Sequence, residues 1–340
     1  MEEYPIDFVI AWIDGNDPEW KKEKARYAAA LEDGSDVQDC RFRDWDNLRY
    51  WFRGVEKFAP WVHKVYFVTC GHVPDWLDLS AEKLCFVKHG DYMPAEYLPT
   101  FSSRPIELNL HRIDGLQEHF VYFNDDMFLT QPVTPEFFFR EGVPVLSGKL
   151  APLKTAENTT YTHTLLNDMV LINRHFSPGA LDREARRKWR AWKEIGLRPA
   201  IKNLFFLRYG FFPKFDDDHL PVPVLKSTME KLWDAEYEVL HETSRHRFRD
   251  FRDVNQYIFR YWQLATGQFV QINKARRGKY RWLTPDEYQA VCGEIADRTW
   301  PMMCLNDVTD AITQEQFEEM KEAVRHAFSQ ILPDRSGFEK

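Results

Sequence analysis

The sequence predicts an α/β protein with a mostly parallel sheet and added C-terminal helices. Short apolar runs in the first 140 residues end repeatedly in glycine or polar turn residues, and helical patterns separate these runs. The 340 residues are 44% hydrophobic and 15% aromatic, which allows a sizeable core and excludes a disordered chain. We expect a single domain (1–340) in which residues 1–140 form an α/β half and residues 141–340 form a mixed half.

Four apolar runs predict the strands. The first is IDFVIAW (6–12), and its turn cluster IDGNDP leads to a helix that should start near Pro18. The other runs are KVYFVTCG (64–71), KLCFVKHGD (83–91) and FVYFNDD (120–126). Alternation of such runs with helices is typical of βαβ units.

The segment 43–61 predicts a helix. Asp44 or Asp46 would cap its start, and Pro60 would mark its end. Its apolar residues recur at spacings of three and four: Leu48, Trp51, Phe52, Val55 and Phe58.

A second helix is predicted over 101–116, capped by Ser102 or Ser103. In that helix three polar residues would share one face, namely Glu107, His111 and Asp114. This face could turn towards a site, or it could simply be solvated.

The pattern is less regular beyond residue 140, but three segments are clear. Residues 219–233 should pass from an extended stretch into a helix, and residues 252–267 should form a helix ended by glycine. Residues 312–332 predict an amphipathic helix with one apolar face, formed by Phe317, Met320, Val324, Phe328 and Ile331.

Polar residues follow each apolar run directly, and in open α/β sheets ligands bind beyond the carboxyl ends of the strands. One sheet edge should therefore collect Asp14, Asp17, Gly71, Asp91, Asn124, Asp125 and Asp126. Aspartates at a strand end are hard oxygen ligands suited to Mg²⁺ or Mn²⁺. The alternative for the NDD sequence at 124–126 is an Asx turn.

Two further segments could carry chemistry. In DDDHLPVP (216–223), His219 could act as a general base or contact a phosphate. The segment 241–253 is rich in arginine, whose guanidinium matches phosphate geometry, although a mixed-charge surface would look similar. Cys304 could be a nucleophile, but a buried structural thiol is the simpler interpretation.

Several classes are disfavoured. The net charge of −8 argues against a nucleic-acid binder, and no P-loop, dinucleotide-binding, nucleophile-elbow or HExxH motif occurs. Five cysteines without a CxxC pair argue against a disulfide framework or a zinc knuckle. The acidic N-terminus lacks the character of a signal peptide, so we expect a cytoplasmic protein without a transmembrane segment.

These residues together resemble the Stealth family of sugar-phosphate transferases, which includes bacterial capsular polysaccharide phosphotransferases. Four blocks carry the resemblance: residues 6–18, residues 41–77 continuing through 98–129, residues from 219–227 to 246–257, and MMCLND at 302–307. The resemblance implies a Rossmann-like, GT-A-like nucleotide-sugar transferase core, with residues 1–140 as the half that binds the nucleotide sugar. It also implies transfer of a sugar-1-phosphate from a UDP-sugar to an acceptor hydroxyl, with release of UMP.

The resemblance assigns catalytic positions to Glu107, Asp126, His219 and Arg249, because the family's thirty-residue interval separates His219 from Arg249. Asp125 and Asp126 would hold Mg²⁺ or Mn²⁺, and His219 or Asp126 would be the base. We expect substrate contacts from Asp14, Gly15, Asn16, Arg112, Asn124, Asn306 and Asp307. The default donor is UDP-N-acetylglucosamine, and the acceptor is a capsule or exopolysaccharide glycan.

Two other functions stay open at this point. A glycosyltransferase would move the sugar and release UDP, and a non-catalytic protein would bind the nucleotide sugar or the glycan. The sequence leaves the oligomeric state and peripheral attachment to the inner face of the membrane undecided.

Overall fold

The apolar run at the N-terminus forms the central strand of the main sheet. The computed structural model describes residues 4–29, 43–154, 156–217, 219–307 and 312–340. In it, β1 (Ile6–Ala11) is fully surrounded by the chain and ends in a turn that leads to α1 (Pro18–Ala28). Asp17 caps α1 through a bond from the backbone N–H of Trp20 to its carboxylate, so the predicted start at Pro18 is confirmed.

The main sheet has five strands in the order β3-β2-β1-β4-β8. Strands β2 (Val65–Thr69), β3 (Leu84–Lys88) and β4 (His119–Phe123) run parallel to β1, as their apolar runs predict. The fifth strand, β8 (Val222–Leu225), lies antiparallel beside β4. The predicted α/β class with a mostly parallel sheet is confirmed by this topology.

Alternating side chains of each strand enter two different cores. Phe8, Ile10 and Phe123 face one core, and Val9 and Tyr122 face the other. The first core is covered by α2 (Leu48–Phe58) and by the C-terminal helix, whose predicted apolar face is buried. The second core is covered by helices from residues 103–265. The two sequence halves therefore share one sheet and both cores.

The predicted helix over 43–61 is shorter than expected, and its predicted cap is wrong. The Asp44 carboxylate accepts the backbone N–H of Asp46 at 2.7 Å and forms an Asx turn, and Asp46 has φ +49°. The helix therefore begins only after Asn47, which makes no side-chain capping bond. Local side-chain bonding replaces the first turn that the sequence pattern suggests.

The predicted helix over 101–116 is also interrupted. It is capped by Ser102 as expected, but α4 (Ser103–Leu108) then gives way to a 3₁₀ turn at Leu110–Arg112. The Asn109 side chain donates to the Pro105 carbonyl at 2.8 Å and thereby competes with the helical hydrogen bond there. Glu107, His111 and Asp114 consequently do not share one helical face.

Beyond the NDD turn the chain builds two small sheets. One has the order β10-β11-β5, formed by Lys279–Leu283, Met302–Asp307 and Met127–Leu129. The other has the order β6-β7-β9, formed by Phe139–Arg140, Val143–Leu146 and Val270–Gln271. The parallel pair β10 and β11 ends beside the carboxyl end of β4, so these sheets extend the main-sheet edge.

The remaining helices follow in chain order. They are α3 (His89–Tyr92), α5 (Thr160–His175), α6 (Arg183–Trp189), α7 (Trp192–Ile195), α8 (Leu197–Phe206), α9 (Lys226–Ala235), α10 (Tyr237–Arg245), α11 (Tyr257–Ala265), α12 (Tyr288–Ala296) and α13 (Gln314–Ile331). Strand β8 with α9 confirms the prediction for 219–233, and Gly267, at φ +75°, follows α11 as expected. Among the described residues, none of these helices has the length and apolar character needed to cross a membrane.

Candidate active site

The carboxyl ends of β1 and β4 open into a cleft of about 1010 Å³. Its walls come from sequence segments far apart, including the loops after both strands, the segment before β8, the loop after α10, and the strands β10 and β11. Seven of the residues that the sequence assigns to the site line this cleft: Asn124, Asp125, Asp126, His219, Arg249, Asn306 and Asp307.

Asp126 is fixed by β11. Its backbone carbonyl accepts the N–H of Leu305 at 2.8 Å, and its Oδ2 accepts the thiol of Cys304 at 3.2 Å. Its other oxygen, Oδ1, is buried and has no hydrogen-bond partner within the described parts of the chain. A buried carboxylate oxygen without a partner is costly, so this atom is ready to accept a ligand.

The carboxylates of the cleft repel one another electrostatically. The surrounding protein and the charge of Asp126 raise the pKa of Asp125 to about 7, although its side chain reaches the solvent of the cleft. Burial also raises the pKa of Asp126, and His219 partly offsets this effect. Asp44 lines the same cleft, and burial together with neighbouring Asp46 raises its pKa. The cleft thus favours a cation beside these oxygens.

The donor set fits a hard divalent cation. Ligand atoms of Asp126, His219 and Cys304 lie within 4.8 Å of one another. Burial and the charge of Asp126 hold the pKa of the Cys304 thiol well above 9, so this group stays a protonated donor to Asp126. Asp126 then offers the hard oxygens of these three residues, whereas Asp125 lines the same cleft without being one of them, and carboxylate oxygens suit Mg²⁺ or Mn²⁺.

His219 is held in an unusual backbone conformation, with φ +43°. Its Nδ1 shares a short hydrogen bond of 2.5 Å with the hydroxyl of Tyr257, which belongs to α11. Its Nε2 points to the carboxylate side of the cleft, 3.9 Å from Oδ2 of Asp126. Tyr257 therefore orients the imidazole, and Nε2 is the nitrogen that can meet a ligand in the cleft.

Only one arginine of the segment 241–253 lines the cleft, and it is Arg249. Within the described residues, its guanidinium makes no hydrogen bond or ion pair with the protein. By contrast, Arg252 is paired with Asp250, and Arg247 stacks on Tyr27. Arg249 is half-buried and free to bind an anion, which distinguishes it from its neighbours.

The end of β11 contributes Leu305, Asn306 and Asp307 to the cleft wall. Asn306 donates to the hydroxyl of Tyr280 at 2.5 Å, and Asp307 pairs with Arg43 at 3.1 Å. Residues 11–13 also line the cleft, whereas the turn of Asp14, Gly15 and Asn16, which follows them in the chain, does not. That turn is closed by a bond from the Asn16 N–H to the Asp14 carboxylate at 2.8 Å.

Besides the turn at Asp14, Gly15 and Asn16, two expected site residues lie outside the cleft lining. Glu107 is buried behind the cleft wall, where Oε1 accepts the hydroxyl of Tyr122 at 3.4 Å, and burial raises its pKa. It can act only through neighbours such as Tyr122, which does line the cleft. Arg112 lies away from the cleft and stacks 4.8 Å from the ring of Trp233. Of the three aspartates before His219, Asp218 lies outside the described residues.

Three cleft residues were not identified from the sequence, namely Asp44, Tyr280 and Lys149, and neither was Tyr257, which supports His219 from outside the cleft lining. Asp44 precedes an apolar helix within an acidic cluster, and that pattern predicts a helix cap. Tyr257 ends the third block of the family resemblance. Tyr280 and Lys149 belong to segments without a recognisable pattern.

The comparisons with known proteins agree along the whole chain. Residues 4–32 match conserved region 1 of the Stealth proteins, and residues 41–145 match conserved region 2. The receptor polysaccharide phosphotransferase WefC of Streptococcus gordonii is 42% identical over 98% of both chains. The capsular polysaccharide phosphotransferase WcwK of Streptococcus pneumoniae is 40% identical over 98% of this chain and 99% of its own.

A third relative and one solved structure extend the comparison. The exopolysaccharide phosphotransferase cps2G of Lactiplantibacillus plantarum is 36% identical over 99% of this chain and 97% of its own. The galactosyltransferase LgtC, solved with donor and acceptor sugar analogues, covers 93% of this chain and 95% of its own at 12% identity. Its TM-score of 0.38 is too low to support an argument, and the fold assignment rests on the sheet topology.

Proposed function

The chain belongs to the Stealth family of polysaccharide phosphotransferases, and on this premise we propose that it transfers a sugar-1-phosphate from a UDP-sugar to a glycan hydroxyl. UMP is the other product, and UDP-N-acetylglucosamine is the default donor. The observation that carries this proposal is the meeting of Asp126, His219 and Arg249 in one cleft. These residues come from three distant segments, and a cleft that merely binds a sugar needs no such combination of base and cation.

In the proposed reaction the acceptor hydroxyl oxygen forms a bond to the β-phosphorus. The bond from that phosphorus to the oxygen bridging the two phosphates breaks, and UMP departs with its electron pair. His219 Nε2 takes the hydroxyl proton as the bond forms, and Nδ1–H donates to the hydroxyl oxygen of Tyr257, which keeps the ring in place. Asp126 is the competing candidate for the base.

Charge neutralisation is the second requirement of the reaction. Arg249, which has no protein partner within the described residues, would neutralise phosphate oxygens as charge spreads over them. Oxygens of Asp125 and Asp126 would hold Mg²⁺ or Mn²⁺, and such a cation would supply further charge neutralisation on the diphosphate. Asn124, Asn306 and Asp307 would contact the donor from the cleft walls.

The proposal is tested by incubating the protein with a panel of UDP-sugars, short glycan acceptors and Mg²⁺, and by identifying the nucleotide released. UMP supports it, and UDP overturns it in favour of a glycosyltransferase. Asp126→Asn and His219→Ala should each lower turnover by at least about a hundredfold. Matched substitutions outside the cleft, Asp234→Asn and His326→Ala, should leave turnover unchanged.

A further inference from the structure

Helix α8 presents its apolar side to solvent. Leu197, Ile201, Leu204 and Phe205 follow the spacing of one helical face, and that spacing normally marks the side packed on a core. Here these side chains are exposed by 62%, 57%, 41% and 58% respectively. Tyr209 and Phe211 continue the same exposed surface just after the helix. Of the twelve large hydrophobic side chains exposed in the described residues, six lie between residues 197 and 211.

The orientation of α8 is fixed by its other side. Asn203 is fully buried, and its side chain makes three hydrogen bonds with neighbouring backbone. It accepts the N–H of Leu150 at 2.8 Å and donates to the carbonyls of Gly148 at 2.7 Å and Trp189 at 3.1 Å. Turning the apolar side inwards would break these buried hydrogen bonds. They therefore hold α8 in the orientation that exposes its apolar side.

The same region is strongly basic within an acidic protein. Residues 183–208 contain nine lysines and arginines and two glutamates, whereas the whole chain has a net charge of −8. Most of these cations are exposed, including Arg186, Arg187, Arg198 and Lys202. On α8 itself, Arg198 and Lys202 each directly follow a residue of the apolar face in the sequence. Their side chains therefore lie about 100° around the helix from that face and flank it. The partner of this surface should therefore be both apolar and anionic.

We propose that the apolar face of α8 and its surrounding cations bind the surface of an anionic lipid bilayer. Apolar and aromatic side chains flanked by lysine and arginine are the composition of interfacial helices, whose apolar side enters the acyl boundary while cations meet lipid headgroups. A second copy of this chain fits less well, since two such faces would bring like charges together.

This placement bears on the proposed transfer reaction and, in that respect, rests on it. Ile195, just before α8, and Pro199, in the first turn of α8, line the cleft. Docking of α8 therefore places one rim of the cleft at the bilayer surface. A glycan acceptor carried on that surface could enter the cleft without the enzyme leaving the membrane.

The test is co-sedimentation of the full chain with vesicles of phosphatidylcholine alone or with about 30% phosphatidylglycerol. We expect binding to the anionic vesicles only, and loss of most of it near 0.5 M salt, where the Debye length is roughly 4 Å. Ile201→Glu with Phe205→Glu should weaken vesicle affinity by at least about tenfold. Arg198→Gln with Lys202→Gln should weaken it in the same direction.

Matched substitutions elsewhere separate this surface from general effects. Leu79→Glu replaces an exposed hydrophobic residue outside the region, and Lys231→Gln with Arg335→Gln removes two exposed cations. Both should bind vesicles as the wild type does. Circular dichroism checks folding, and turnover on a soluble acceptor, which needs no vesicle, reports the proposed activity separately from membrane binding.

Three outcomes would overturn the inference. One is no binding of the wild type to anionic vesicles. Another is equal binding by the α8 variants and the wild type. The third is a concentration-dependent dimer in sedimentation velocity that the Ile201→Glu, Phe205→Glu protein lacks, without vesicle binding by the wild type. That result would assign the face to self-association.

Discussion

At the residue scale, the groups that would touch substrate are held by neighbours that do not. Cys304 and the backbone of Leu305 fix Asp126, and Tyr257 fixes the ring of His219. Such neighbours set the orientation and protonation of the reacting atoms, so they should matter almost as much as the reacting residues.

The hydrogen bond between His219 and Tyr257 gives the first prediction. Tyr257→Phe removes only the hydroxyl that orients the imidazole, so kcat should fall by roughly tenfold while KM stays similar. Tyr261→Phe is the matched control, because Tyr261 lies on the same helix as Tyr257 but its hydroxyl donates to Asp217 and not to His219. Equal kcat values for both variants, or a pH–rate profile unchanged by Tyr257→Phe, would contradict the positioning role.

A second prediction concerns Asp168, which is fully buried in α5. One carboxylate oxygen accepts the N–H of Asn255 at 3.2 Å, and burial raises its pKa well above 3.8. A carboxyl group whose pKa is raised in the folded state makes the protein less stable as pH rises above the pKa of that group in the unfolded chain. Above that pH the folded state still holds a proton that the unfolded state has lost. Asp168→Asn removes this pH-dependent contribution to the free energy of unfolding.

The free energies of unfolding in urea at pH 5 and pH 8 measure the effect. The difference between the variant and the wild type should move in favour of Asp168→Asn as pH rises, by at most about 1.4 kcal/mol per pH unit. Asp234→Asn, at an exposed position, should show little pH-dependent change. A constant difference between Asp168→Asn and the wild type at both pH values would show that Asp168 carries no extra proton.

At the element scale, strands β10 and β11 form one wall of the cleft, and the backbone just before β10 approaches β11 closely. A Cβ at Gly278 would lie 2.2 Å from the backbone carbonyl oxygen of Met302, so only glycine fits there. Gly278→Ala should force β10 away from β11 and disturb the bond between Asn306 and Tyr280.

We expect Gly278→Ala to lower the free energy of unfolding by roughly 1–3 kcal/mol and to reduce turnover. Gly293→Ala is the matched control, since it lies on α12 with no atom within 4 Å of the added Cβ. There alanine should stabilise the helix by roughly 0.5–1 kcal/mol. Thermal unfolding with activity measurements decides, and an unchanged Gly278→Ala protein would contradict the close approach.

Sequence patterns predict the elements unevenly, and the reason is physical. Continuous apolar runs predict β1, β2 and β4 closely, because burial on both faces leaves few other residue choices, and the edge strand β3 follows the same pattern although it is only partly buried. Helix ends depend on side-chain bonds such as those of Asp44 and Asn109, which compete locally with the helix. Long-range partners such as Tyr257 and Tyr280 carry no local signal, so only the fold reveals them.

At the scale of the whole molecule, the two sequence halves share the main sheet through β8 and meet again at the cleft. The first half supplies the carboxylates, and the second supplies the imidazole and the guanidinium. The acidic cleft is predicted from the polar residues at the strand ends. His219 and Arg249, which come later in the chain, are predicted from the family resemblance. The exclusion of Arg112 and Glu107 from the cleft required the structure.

The central claim concerns which bond of the donor breaks, and the β-phosphorus reports this directly. The wild-type protein would be given a UDP-sugar carrying radioactive phosphorus only at the β-phosphate, together with a glycan acceptor and Mg²⁺. We expect the label to appear in the glycan while unlabelled UMP is released. Label retained in UDP, with an unlabelled sugar on the glycan, would contradict sugar-1-phosphate transfer.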